Sequence, residues 1–176
     1  NLSQRFVWPS LRDARTEAAG ALARAARARL AADSLRLAAD VAAAYVTAAA
    51  AQDRAGHLRA VTSVFRRADS TSTLLVREGD LSGYDLRRLR VERARYENAL
   101  AQAELDARSA RRRLALLVLP EDPAAEIAPA TPLAEVVAGP AFEEVLRRAA
   151  DRRPELRQAR ADVEAARAAL EAARRE

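Results

Sequence analysis

The chain has 176 residues, half of them apolar but only 4% aromatic, with no Met and no Cys. Alanine dominates the apolar half, so a core here buries little area per residue and suits close-packed helices rather than a thick globular interior. All 30 basic residues are arginine, and the net charge of +5 is interleaved with Asp and Glu, which describes solvated helix faces and argues against a nucleic-acid patch.

Residues 1–8, NLSQRFVW, alternate. Leu2, Gln4, Phe6 and Trp8 share one face and Ser3, Arg5 and Val7 the other, which predicts a short β-strand whose partner lies elsewhere. Pro9 fits the first turn of a helix, with Ser10 or Asp13 able to serve its exposed N–H groups. From 10 to 78 there is no further Pro. A register of alternating threes and fours runs Leu30, Ser34, Leu37, Val41, Ala44, Ala48, Ala51, Ala55, Leu58, Thr62, Phe65, which predicts one long helix with a small-residue coiled-coil seam. At 1.5 Å per residue it would be roughly 100 Å long.

The stretch VREGDLSGYD, 76–85, interrupts the pattern. A tip turn is expected at 79–84, with Gly79 ending the first helix in the left-handed conformation, Gly83 easing the turn and Asp85 capping the next helix. The return helix, 85–118, has the seam Leu86, Leu89, Arg93, Tyr96, Leu100, Ala103, Ala107, Ala110, Leu114, Leu117, polar only at Arg93. A polar seam residue fixes register, meets a third partner or snorkels. Arg111, Arg112 and Arg113 suit the C-terminal end of its dipole. Residues 119–140 hold five of the seven prolines and read as an extended connector. A short helix is expected at about 141–151, with Phe142, Val145, Leu146 and Ala149 apolar, and a last helix from Pro154. The motif P-x-L-R-x-A-R occurs at Pro9 and again at Pro154, each reading as a helix start. A return helix half the length of the outgoing one leaves room for the last helix to continue it along the long helix.

The sequence offers no catalytic constellation. Its glycines are isolated, so no phosphate loop is present. Ser70, Thr71, Ser72 and Thr73 cluster without a base nearby. His57 has no second ligand at i+4, so no metal or cofactor is expected. No run approaches the roughly 18 apolar residues of a membrane helix, and no signal peptide is visible. Residue 1 is Asn and the helical pattern continues to the end, which suggests a piece of a longer protein.

Taken in order, these segments resemble the outer membrane efflux protein family, the TolC-like channels of tripartite pumps and type I secretion. LSQRFVWPSLRDAR (2–15) is similar to that family's passage from barrel strand to long periplasmic helix, and DVAAAYVTAAAAQDR (40–54) to its Tyr-containing helix. The match extends through the Gly turn and Ala-rich return helix at 76–118, and RRPELRQARADVEAARAALEAARRE resembles the start of its second repeat. QRFVWPSLR is closest to the heavy-metal cation efflux subgroup. The resemblance implies an all-α, long antiparallel coiled-coil hairpin with a Pro-rich equatorial connector (119–153) and a short N-terminal strand. It implies a non-enzymatic homotrimer in the Gram-negative outer membrane, this portion being periplasmic and the barrel segments lying outside the chain. The partners implied are a periplasmic adaptor (membrane fusion protein) and an inner-membrane pump. By the same resemblance Val76, Arg77, Gly79, Asp80, Leu81 and Ser82 form an adaptor-docking tip, Leu81 being its exposed apolar anchor, and Asp69, Asp85 and Arg93 are entrance or gating positions. Two other readings compete. A periplasmic adaptor hairpin should be flanked by Gly-rich lipoyl-like segments, which are not seen, and a coiled-coil scaffold leaves the strand and the Pro-rich belt unexplained.

Overall fold

A computed structural model describes residues 8–122, 124–130 and 141–175, with only the backbone of 150 and 151. The described residues form an all-helical fold of four helices, α1 (Pro9–Glu78), α2 (Gly83–Val118), α3 (Phe142–Arg152) and α4 (Pro154–Arg174). The strand expected at 1–8 lies, apart from Trp8, outside the described residues. Trp8 is exposed and non-helical, and its carbonyl accepts the Leu11 and Arg12 N–H groups at 3.0 and 3.1 Å, closing the first turn of α1. Both P-x-L-R-x-A-R motifs open helices, with Pro as the first helical residue. There its missing N–H costs nothing and its fixed φ suits the helix.

The chain divides into two compact units, residues 1–38 with 137–176, and residues 39–136. In the first, α4 packs antiparallel to the start of α1. Arg175 donates from Nη1 to the Ser10 carbonyl at 3.4 Å, and Glu17, Ala21 and Arg24 share a groove with Glu164, Arg167, Ala168 and Glu171. The shielded positions of α1 are Leu11, Ala14, Ala18, Ala21, Ala25, Ala28 and Ala32; those of α4 are Pro154, Gln158, Ala161, Ala165, Ala168 and Ala172. Both series alternate threes and fours, the spacing that keeps one stripe of a helix against a neighbour. The expected register therefore fails at its N-terminal end. Leu30 and Leu37 are 66% and 50% exposed and Ser34 is exposed too; up to Ala32 alanines hold the inward positions, and from Asp33 to Asp40 every residue is exposed.

In the second unit α2 returns antiparallel to α1 from the turn. Here the expected positions hold: Val41 to Phe65 in α1 and Leu86 to Leu117 in α2 are buried or half-buried. Ala44, Ala48 and Leu114 form one core cluster, with Val41, Tyr45, Ala110, Leu117 and Ile127 packed around it, and Ala55, Ala103 and Ala107 form another with Ala51 and Leu58. Beyond them Thr62 is 1% exposed and its hydroxyl donates to the Tyr96 carbonyl at 3.5 Å. Phe65 stacks on Tyr96 with centroids 4.8 Å apart. The α3 face predicted to be apolar is uncovered, with Phe142 72%, Val145 45% and Leu146 59% exposed.

Candidate functional site at the turn between the long helices

The turn is shorter than expected, 79–82 rather than 79–84. Gly79 has φ +88°, the only positive φ among the described residues. Its N–H donates to the Val76 carbonyl at 3.3 Å, while the Asp80 and Leu81 N–H groups both reach the Leu75 carbonyl at 2.9 and 3.3 Å. These bonds satisfy the carbonyls that the end of α1 would otherwise strand.

Asp85 is not the cap of α2. Ser82 takes that place with extended backbone (φ −76°, ψ 144°), and its Oγ accepts the Asp85 N–H at 3.1 Å. The same hydroxyl donates to Asp85 Oδ2 at 2.6 Å. Asp85, third residue of the helix, thus meets the one Ser82 hydroxyl with both its backbone N–H and its carboxylate, and its charge complements the positive end of the dipole. Asp is a good cap by type, but Ser82 three residues earlier is the signal that decides it.

Leu81 is half-buried, so it is not the exposed anchor expected of it. The apolar side chains open to solvent beside the turn are Leu74 and Tyr84, 55% and 67% exposed. The sequence pattern marks neither as a contact residue, although Tyr84 sits within 76–85. Val76 is half-buried, and Arg77, Gly79, Asp80 and Ser82 are exposed.

Two turns from the end of α1 lies a polar layer. Asp69 is only 14% exposed at its side chain and accepts Arg93 Nη1 at 2.6 Å and Arg90 Nε at 2.9 Å. Arg90 also donates to Thr73 Oγ1 at 3.3 Å. Arg66 Nε meets Glu97 at 3.0 Å, and the other Glu97 oxygen stands 3.9 Å from Arg93 Nε. That Nε is shielded from solvent and makes no hydrogen bond. Asp69 and Arg93 are thus brought together across the seam, while Asp85 is occupied locally at the cap. Arg93 does not escape to water along its stem; it meets a counter-charge. Ser70 and Thr73 hydroxyls bond back to the Arg66 and Asp69 carbonyls, a helix-surface habit of these residues.

No family model, curated protein or solved structure matches the chain. Among the described residues no group of three or more His, Cys, Asp or Glu side chains could hold a metal ion, and His57 is exposed. No helix among them is long and apolar enough to cross a membrane.

Proposed function

We propose that the chain is the periplasmic helical portion of a trimeric outer-membrane efflux channel, docking a periplasmic adaptor at its turn and giving an inner-membrane pump a passive exit. In this reading the α1–α2 pair is a coiled-coil hairpin, the Pro-rich segment an equatorial belt, and residues 1–8 a strand leading from a barrel. The protein is not an enzyme, takes no cofactor and binds no nucleic acid. Its cargo class by sequence resemblance is heavy-metal cations.

The observation that carries the reading is the build of 69–85. A fixed, capped turn presents Leu74 and Tyr84 to solvent, next to a seam layer of charged rather than apolar side chains. A turn that served only to reverse the chain would need no exposed Tyr and no half-buried ion pair beside it. Trimer formation is supported by a second stripe on α2, Val91, Ala94, Asn98, Ala101 and Leu105, whose residues are all exposed yet alternate threes and fours as a helix-contacting seam does. Opening at the entrance then means separating groups held by ionic contacts, and small seam residues let helices slide at modest cost.

A photoactivatable residue at Asp80 of the intact protein, irradiated in its own cells and analysed by mass spectrometry, tests the docking. Capture of a periplasmic adaptor with its own helical hairpin is expected. Crosslinks only to cytosolic proteins would contradict the proposal.

A further inference from the structure

The chain leaving α2 does not run straight on. At Leu119 it turns, with the Asp122 N–H on the Leu119 carbonyl (3.0 Å) and the Ala125 N–H on the Asp122 carbonyl (3.1 Å). Residues 124–130 then lie back over the α1–α2 seam at the end remote from the Gly79 turn. Ile127 packs on the Ala44, Ala48 and Leu114 cluster. Its N–H reaches the Arg111 carbonyl at 3.5 Å, and Pro129, itself buried, accepts from the Gln52 side-chain amide at 3.4 Å. Glu126 spans two arginines of α2, with Arg111 Nη2 at 3.3 Å and Arg112 Nε at 3.2 Å. One extended segment thus touches both helices of the pair.

We propose that residues 124–130 are a strap that locks this end of the α1–α2 seam, and that Glu126 is its ionic latch. The division of labour follows from the side chains. Alanines give the seam few atoms per layer, so an added Ile on the Ala44, Ala48 and Leu114 cluster adds to the apolar contact that Val41, Tyr45 and Leu117 supply there. Most of the strap's remaining holds are long or single hydrogen bonds. Glu126 makes two charge-assisted contacts from a side chain that is 32% exposed, and such contacts are open to screening by salt. The strap therefore makes the stability of one end of the helix pair responsive to ionic strength, or to an acidic group that competes for Arg111 and Arg112. This does not depend on the channel reading. The two are separable, because the strap is tested away from the turn and with no partner present.

Hydrogen exchange of the intact purified protein, followed by mass spectrometry, tests it. Glu126→Gln keeps the shape and removes the charge. We expect about five-fold faster exchange in 41–52 and 107–118, as local opening becomes easier, with 83–97 unchanged. In the unmodified protein, raising NaCl to about 1 M, where screening acts within about 3 Å, should reproduce the effect, and in Glu126→Gln the salt should add nothing. Ile127→Ala should loosen the same peptides regardless of salt. If Glu126→Gln speeds exchange only in 119–130, the strap does not lock the seam. If salt and Glu126→Gln have no effect while Ile127→Ala does, packing alone holds the strap and the latch is wrong.

Discussion

Asp69 occupies a seam position that in most helix pairs would hold Leu or Ile, and it is kept there by Arg90 and Arg93. Removing it leaves Arg93 against the seam with its nearest remaining carboxylate, Glu97, 3.9 Å away. Breaking a buried pair costs about 3–5 kcal/mol. Arg93 keeps 31% exposure, so solvent screening lowers the expected cost of Asp69→Ala to about 2 kcal/mol. Asp69→Leu combined with Arg93→Leu should restore or exceed the original stability, since apolar replacements of a buried pair are often neutral or stabilising. Urea denaturation of the three proteins checks both outcomes. The glycines offer a paired test of opposite sign. Gly79 sits at φ +88° with open space around a built Cβ, so Gly79→Ala should cost about 1–2 kcal/mol through backbone strain alone. Gly56 lies within α1 with nothing within 4 Å of its built Cβ, so Gly56→Ala should raise stability by about 0.5–1 kcal/mol in the isolated chain. Arg93 is legible as a polar interruption of the α2 seam, whereas Asp69 lies beyond the α1 register that ends at Phe65, and their pairing needed the antiparallel register, which no single helix pattern contains.

At the scale of the element, the cap of α2 and the alanine seams decide behaviour. Ser82→Ala removes the acceptor of the Asp85 N–H and the donor to its carboxylate, and should cost about 1 kcal/mol. Amide exchange should speed up in the first turn of α2 and not beyond it. The seams explain what the sequence pattern could and could not reveal. Between Val41 and Phe65, and along α2, Val41, Leu58, Phe65, Leu86, Leu89, Tyr96, Leu100, Leu114 and Leu117 mark enough of the inward stripe to fix its face, although alanines hold the layers between them. In the first forty residues alanine occupies so many positions that several registers fit, and choosing the one containing Leu30 and Leu37 selected a face that is exposed. A surrounding Ala series, Ala14 to Ala32, carries the contact with α4 instead. The strap was beyond reach for another reason. Glu126 and Ile127 lie in a Pro-rich connector without periodicity, and their anchors are on helices already assigned to each other.

For the whole molecule, the all-helical build follows from composition. Its helix order was readable because Pro, Gly and Ser punctuate it at 9, 79–82 and 154. The functional proposal rests on how the turn, the polar layer and the exposed α2 stripe combine, and it makes one demand that a free-standing helical protein does not meet. The protein must assemble as three copies at the outer membrane. The direct measurement is envelope fractionation of the intact protein from a Gram-negative host, followed by native mass spectrometry of the detergent-extracted material. Recovery from the outer membrane at three times the subunit mass is the result predicted; recovery as a monomer or dimer in the soluble fraction would contradict the channel proposal.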